Sequence, residues 1–154
     1  MGGYQYFEHD FIDRTLHLIG QYEDILHQYP FAEQYNYTLL INCLFGIIVM
    51  PKERAESRLP ADRITADLKK EMGLVESTFA ANVKTLKDLA IKMRHSISHA
   101  SFEVESHSDQ HLIDFIVFSD APDYGGLEFA RFKADELLPF VRYYGGWVMS
   151  NIRR

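Results

Sequence analysis

Residues 93–100, MRHSISHA, contain an arginine, two histidines and two serines within about two helical turns. A helix turns by about 100° per residue, which places four of these polar side chains on one arc of about 140°: Arg94, His95, Ser98 and His99. A guanidinium binds a phosphate bidentately and stabilises its growing charge, and an imidazole with a pKa near ~6.5 transfers protons at neutral pH. This combination indicates cleavage of RNA, in which the ribose 2′-hydroxyl is the internal nucleophile and no metal is required.

Three lysines precede this polar face, and only one acidic residue, Asp88, lies among them. Together with Arg94 they give residues 84–99 a formal charge of +3, within a chain whose formal net charge is −6. A local basic stretch of this kind favours contact with a phosphate backbone. We therefore expect the three lysines to bind RNA: Lys84, Lys87 and Lys92.

A polar residue, Asn42, interrupts the most apolar stretch of the chain, residues 37–50. A buried amide needs a hydrogen-bond partner, so Asn42 is expected either to be a satisfied core residue or to support the motif from a neighbouring helix. We keep it as a supporting candidate.

The spacing of Arg94, four intervening residues and His99 resembles the signature motif of the HEPN superfamily (higher eukaryotes and prokaryotes nucleotide-binding domains). The phrase RHSISHA is similar to the usual Arg-Asn-x-x-x-His wording of that motif, with His95 in the place of the asparagine. The resemblance also extends to the order of elements, in which long helices and the motif are followed by a β-hairpin and a closing helix.

The resemblance implies a metal-independent endoribonuclease that acts as a toxin, an antiviral effector or an RNA-processing enzyme. It further implies a homodimer in which the two motifs face each other in one composite cleft. Arg94 would bind and polarise the scissile phosphate, and His99 would be the general acid or base. His95 would orient this pair or the substrate, with Ser98 as a further supporting residue on the same face.

Other interpretations of the same residues remain open. Arginine and histidine near a helix C-terminus can interact with its last carbonyls and with the negative end of its dipole, which would make the motif structural. The superfamily also includes members that bind nucleotides or partners without cutting RNA. Residues 103–136 carry a formal charge of −7, so this stretch could bind a basic partner such as an antitoxin or a regulatory subunit.

A third alternative is a zinc hydrolase built on histidine pairs. His95 and His99 are four residues apart, as are His107 and His111, and Asp109 lies between the second pair. The helical pair lacks the glutamate of the HExxH pattern, and the second pair is predicted to span a strand end and a turn, where the two rings need not converge. We therefore expect no metal and no other cofactor.

The spacing of apolar residues predicts helices over 5–29, 33–50, 64–72 and 135–152, and another from a cap at Ser77 or Thr78 to Ala100. One face of the first helix carries apolar residues at steps of three, four and seven: Phe7, Phe11, Leu18, Tyr22, Ile25 and Tyr29. The second helix, apolar on nearly all sides, should be the central one. A period of two then predicts strands over 102–106, 111–120 and 127–133.

These elements predict a mainly α fold, a HEPN-like bundle of four to five helices with a small antiparallel β-hairpin or three-strand insertion at about 101–133 before the last helix. The length of 154 residues and 47% apolar composition indicate a single domain over 1–154.

With one cysteine, Cys43, and no apolar stretch of the ~20 residues needed to cross a bilayer, we expect a cytoplasmic protein without membrane contact.

Overall fold

A computed structural model describes residues 3–50 and 58–151 of the chain. Within these residues lie five α-helices: α1 (Phe7–Leu26), α2 (Asn36–Val49), α3 (Ala66–Glu71), α4 (Leu86–Ser98) and α5 (Leu137–Asn151). Four strands form one antiparallel sheet in the order β1-β4-β3-β2: β1 (Thr78–Phe79), β2 (Phe102–Glu105), β3 (Phe115–Ser119) and β4 (Glu128–Lys133). The fold is mainly α with a β insertion before the last helix, as the sequence predicted.

Helix α2 lies at the centre of the bundle, in contact with α1, α4 and α5. Its core-facing side chains are all apolar: Leu40, Cys43, Leu44, Ile47 and Ile48. At Gly46 the helix approaches α1 so closely that a Cβ atom would lie 3.1 Å from the ring of Phe11. The prediction of a central, buried second helix is therefore confirmed.

Helix α1 buries a different face from the apolar stripe that its sequence shows. The side chains that enter the core are Ile12, Thr15 and Ile19. Phe7 and Leu18, which belong to the stripe, are 48% and 49% exposed. Since Phe11 of the stripe packs on α2 at Gly46 while Phe7 and Leu18 stay largely uncovered, the spacing identified a helix face that only partly overlaps the one that packs on α2 and α5.

The three strands predicted from the period of two are confirmed at β2, β3 and β4, and helix α3 is confirmed within the predicted 64–72. The last helix begins at Leu137, after a 3-10 turn over Ala134–Glu136, and Ile152 lies outside the described residues. Residues 51–57, between the predicted second and third helices, are also outside the described residues. None of the described helices is both long and apolar enough to cross a lipid bilayer.

The predicted start of the helix that carries the motif is wrong, because residues 78 and 79 form strand β1. Thr78 pairs with Arg131 and Phe79 with Ala130, which places β1 beside β4 at the edge of the sheet. A two-residue strand shows no periodicity of its own, and Phe79 happens to continue the helical spacing of the residues after it. The pairing with β4 therefore overrides the local pattern.

Helix α4 instead begins at Leu86, after a capping box. The Thr85 hydroxyl accepts a hydrogen bond from the Asp88 N–H at 3.0 Å, and the Asp88 carboxylate accepts one from the Thr85 N–H at 2.9 Å. Two N–H groups that the first turn would leave without partners are satisfied in this way. Asp88, which is the only acidic residue of the basic stretch, is thus used to start the helix.

Helix α3 ends in a Schellman motif at Gly73. The Leu74 N–H donates to the Lys69 carbonyl at 2.8 Å and the Gly73 N–H to the Lys70 carbonyl at 3.0 Å. Gly73 has φ +73°, a conformation that costs a residue with a Cβ about 1–2 kcal/mol. A Cβ at this position would also lie 2.4 Å from the Cβ of Pro139 in the first turn of α5, so there is no room for a side chain.

A buried carboxylate, Glu136, connects the loop before β1 to the start of α5. Its side chain accepts hydrogen bonds from the N–H groups of Val75, Glu76 and Ser77 at 2.8, 2.7 and 2.9 Å and from the Ser77 hydroxyl at 2.5 Å. The Ser77 hydroxyl oxygen in turn accepts from the N–H of Lys133 in β4 at 3.0 Å. One side chain, 8% exposed, thus holds three parts of the fold together.

The ionisation of Glu136 is coupled to folding. Burial by itself raises the pKa of the carboxyl, but the Ser77 hydroxyl and the three backbone donors stabilise its charged form more strongly, so its pKa lies below its usual value. A carboxyl with a lowered pKa contributes stability above the pKa of the unfolded chain, near ~4.3. That contribution is lost as the pH falls through the lower pKa of the folded state.

We expect Glu136→Gln to lower the free energy of unfolding by about 2–4 kcal/mol at pH 7, because an amide NH₂ would then face donors that need acceptors. Urea denaturation measures the loss, and the difference from the parent protein should shrink as the pH falls below about 4.3, the pKa of this carboxyl in the unfolded chain. Asp135→Asn, one residue earlier and exposed, is the matched control and should change stability by less than about 0.5 kcal/mol. Equal effects of the two substitutions would contradict this account.

Candidate functional site at the end of helix α4

The polar face predicted on α4 is present in the structure. The opposite side of the helix enters the core with Leu86, Leu89, Ala90 and Met93. On the polar side Arg94 is half-buried, and three side chains are exposed: His95, Ser98 and His99. The apolar side of α4 therefore fixes the direction of this face towards solvent.

His99 is the residue that follows the last helical turn, but it still has a helical position. Its N–H donates to the carbonyl of His95 at 3.0 Å, so its Cα and Cβ continue the spiral of α4. Residues four apart on a helix have Cβ atoms about 5–6 Å apart, which applies to His95 with His99 and to Arg94 with Ser98. The predicted arc of four polar side chains is thus preserved up to the end of the helix.

Ala100 ends the helix in a left-handed conformation, with φ +52°. The Ala100 N–H donates to the Ile97 carbonyl at 3.1 Å and the Ser101 N–H to the Ser96 carbonyl at 2.8 Å, which together form a second Schellman motif. The prediction that the helix includes Ala100 on its apolar side is wrong, because this alanine is exposed and outside the helix. A position that glycine usually occupies is therefore strained immediately after His99.

Ser96 fastens this helix end to the sheet, and the sequence did not indicate its role. The side chain is buried, and its hydroxyl donates to the Ser101 carbonyl at 2.6 Å. The same carbonyl accepts the N–H of Ser119 in β3 at 2.9 Å. A serine on the apolar side of an amphipathic helix is the signal that could have identified it. Through the Ser101 carbonyl, the backbone that carries His99 is held against β3.

The basic stretch divides into two sides of α4. Lys87 is seven residues before Arg94 and so lies on the same line of the helix, half-buried, while Lys84 is exposed just before the helix. Lys92 points about 160° away from Arg94, where its Nζ lies 2.6 Å from the Asp120 carboxylate and 5.0 Å from the centre of the Phe129 ring. Lys92 is therefore held by the sheet side of the fold, whereas the other two lysines lie on or before the helix.

Asn42 is exposed on α2, so the interpretation of a buried core asparagine is wrong. Its side-chain amide donates to the Thr38 carbonyl, one turn earlier, at 2.9 Å. Its supporting role stays a prediction.

Of the two histidines of the β insertion, His107 lies beside two carboxylates. The Nδ1 atom of His107 lies 3.3 Å from the Asp114 carboxylate, and its Nε2 atom lies 3.9 Å from that of Glu105. His111 lies in a turn with φ +54°. Within residues 3–50 and 58–151 no three His, Cys, Asp or Glu side chains come together as a metal-ligand set. The zinc-hydrolase alternative thus finds no ligand set in the described part of the chain.

Comparison with known proteins gives one family match. A family model described as HEPN pEK499 p136 matches residues 1–154, the whole chain. No curated protein and no solved structure matches the chain.

We expect Ala100→Gly to stabilise the protein by about 0.5–1 kcal/mol, because glycine removes the left-handed strain at the end of α4. The melting temperature should rise by about 2–4 °C in calorimetry. Ala66→Gly, exposed in the right-handed first turn of α3, is the matched control and should lower the melting temperature, because there glycine only adds freedom to the unfolded chain. A decrease in both variants would contradict the strain at Ala100.

Proposed function

Because the chain belongs to the HEPN pEK499 p136 family, we propose that it is a metal-independent endoribonuclease in which Arg94 and His99 cleave RNA. The observation that carries this proposal is the polar face of α4, where Arg94 and His99 lie on one arc at a helix end fastened to the sheet. A fixed backbone beneath an acid–base group and a phosphate-binding group is what phosphodiester cleavage requires.

Arg94 binds the scissile phosphate in this proposal. A guanidinium presents two parallel N–H donors to two phosphate oxygens and remains charged at every relevant pH. It therefore stabilises the extra negative charge that develops on phosphorus in the transition state. The half-buried position of Arg94 strengthens this interaction, since fewer water molecules screen it there.

His99 transfers a proton in the same step. The 2′-oxygen of the ribose attacks phosphorus as its proton is removed, and the bond from phosphorus to the 5′-oxygen breaks as that oxygen gains a proton. His99 is the base of the first transfer or the acid of the second, and His95, one turn earlier, orients the ring or the substrate. The products are a 2′,3′-cyclic phosphate and a 5′-hydroxyl end.

RNA reaches this face through the lysines beside it. Lys87 and Lys84 lie on or before α4, both on the N-terminal side of Arg94, and contact the RNA backbone next to the scissile phosphate. Lys92 contributes only if its ion pair with Asp120 opens, so its substitution should weaken RNA binding less than that of Lys87.

Two copies of the chain complete the site. His95, Ser98 and His99 are exposed at the end of α4, and one arginine and one histidine on an exposed helix end leave a bound phosphate open to water on its other side. A second copy that presents the same face would close a cleft around the substrate, with two-fold symmetry and both motifs inside it. In the cell such an enzyme acts as a toxin or an antiviral effector, which an antitoxin or regulatory subunit restrains.

A second candidate, a module that binds a basic partner without cutting RNA, is favoured by the β insertion. Arg131 is held between Glu105 and Glu128, and Lys133 is held by Glu76, so both basic residues of this stretch are already paired. Further carboxylates in it are exposed: Glu103, Asp109 and Asp123. An acidic surface of this kind binds basic proteins by electrostatic complementarity. Binding of a basic partner at this surface is compatible with cleavage of RNA at α4, and it is also a function that requires no cleavage.

We expect the purified protein to cleave labelled mixed-sequence RNA in excess EDTA and to leave cyclic-phosphate ends. Arg94→Ala and His99→Ala should each reduce the rate by at least about 10²-fold, because each removes a group that acts in the transition state. Induced expression of the parent in bacteria should arrest growth, and expression of Arg94→Ala should not.

The control for this experiment is His17→Ala, which removes a histidine that is 75% exposed on α1 and should leave the rate unchanged. Circular dichroism confirms that all three variants are folded. Absence of cleavage in the parent would favour the binding module, and cleavage that survives both motif substitutions would show that Arg94 and His99 do not catalyse it.

We expect the Arg94→Ala and His99→Ala proteins to recover part of the parent activity when they are unfolded together and refolded as a mixture. In a composite cleft a mixed dimer keeps one arginine and one histidine, whereas each variant alone lacks one type completely. Analytical ultracentrifugation measures whether dimers form. A dimeric mixture without activity would contradict the shared cleft.

A further inference from the structure

A small cavity lies at the C-terminal end of α1, on an element that does not carry the motif. Its volume is about 300 Å³, and its lining consists of three tyrosines and one glutamate: Tyr22, Tyr29, Glu33 and Tyr35. We refer to it as the tyrosine pocket. Its lining residues have no part in the proposed cleavage of RNA.

The tyrosine pocket is held in shape by hydrogen bonds of the turn after α1. The Tyr35 N–H donates to the Tyr22 phenol oxygen at 2.7 Å, and the Gln34 amide donates to the Tyr29 carbonyl at 3.0 Å. Glu33 lies in a 3-10 turn, where its N–H donates to the Pro30 carbonyl at 2.8 Å. These contacts fold the chain back after the helix so that all three rings border one space.

The electrostatic environment of the tyrosine pocket is negative. The last turn of α1 contains no basic residue, so the negative end of its dipole is not compensated there. Glu33 lies in the lining itself and Asp24 belongs to the last turns of the helix, whereas the carboxylate of Glu23 is paired with Arg142 of α5. Phosphate groups are repelled from such a site and cations are attracted to it. A nucleotide is therefore a poor candidate for this pocket, although its base could stack on tyrosine.

Aromatic rings elsewhere in the fold already have cations from the same chain. Arg14 lies over Tyr4 at 4.9 Å and Lys92 over Phe129 at 5.0 Å, measured to the ring centres. No such contact occurs at Tyr22, Tyr29 or Tyr35 within the described part of the chain. Tyr29 and Tyr35 are also 43% and 63% exposed, so their side chains are accessible to a cation from outside.

We propose that the tyrosine pocket binds an organic ammonium cation, such as a quaternary amine or a methylated lysine side chain. Several aromatic faces around one space attract the charge of the cation, while its methyl groups make apolar contacts with the rings. Glu33 supplies the opposite charge. A cavity of about 300 Å³ is large enough for one such head group. The proposal is independent of nuclease activity, because no residue of the α4 face takes part in it.

The first test compares choline with 3,3-dimethylbutan-1-ol, a neutral molecule of the same shape. Binding to the full-length protein is followed by ¹H–¹⁵N NMR and by calorimetry. We expect choline to bind about tenfold more tightly than the neutral isostere, with shifts centred on residues 22–35. Equal binding of the two molecules, or no binding of choline, would overturn the proposal.

The second test uses variants of the exposed ring of Tyr35, whose side chain can be changed without loss of its backbone hydrogen bond to Tyr22. Tyr35→Leu should weaken choline binding about five- to tenfold, and Tyr35→Phe should retain it, because the ring face and not the hydroxyl makes the contact. Tyr124→Leu removes a ring that is 75% exposed elsewhere and should have no effect. An equal loss with Tyr35→Leu and Tyr124→Leu would contradict the site.

The source of the cation is distinguished in a third comparison, between choline and a short peptide that contains trimethyl-lysine. Tighter binding of the peptide than of choline indicates a methylated protein partner, and the reverse indicates a small quaternary amine. Either result supports the ammonium chemistry, provided that Glu33→Gln weakens binding of the tighter ligand. Binding that is unaffected by Glu33→Gln and Tyr35→Leu would place the cation outside the tyrosine pocket and overturn the proposal.

Discussion

The buried carboxylate of Glu136 is the contact on which the arrangement of the other elements depends. It binds the backbone of residues 75–77 and, through Ser77, the last residue of β4, so it fixes the loop before β1 against both the sheet and the start of α5. The sheet placed in this way holds the end of α4 through the Ser101 carbonyl. The polar face of α4 therefore depends, at some distance, on one ionised side chain in the interior.

Most of the architecture follows from the sequence because apolar spacing determines which segments are helices and which are strands. The start of α4 could not be predicted from the sequence, because the helical spacing continues back to Phe79 although that residue pairs with Ala130 in the sheet. The pairing with β4 decides this, and because β4 is remote in sequence, no local pattern indicates it. The same holds for α1, where spacing identified an apolar face but tertiary packing buried Ile12 and Ile19 instead of Phe7 and Leu18.

The candidate site was predictable as far as it depends on helix geometry alone. The arc that contains Arg94 and His99 follows from about 100° per residue and is preserved. The residue at which α4 ends could not be predicted from helix geometry, because it depends on the left-handed conformation of Ala100 and on the hydrogen bond of the Ser96 hydroxyl. Lys92 is paired with Asp120, which is remote in sequence, so net charge along the chain overstated how much unpaired positive charge this region carries.

The contact between Gly73 and Pro139 has a consequence for how sequences of this fold can diverge. Two separate constraints act at residue 73, a backbone conformation that suits glycine and a proline ring in the space of the missing side chain. A side chain at 73 thus requires both a smaller neighbour at 139 and a different helix end, and no single substitution supplies both. Divergent sequences should therefore keep the two residues together or replace them together, and their covariation would report the distance between α3 and α5.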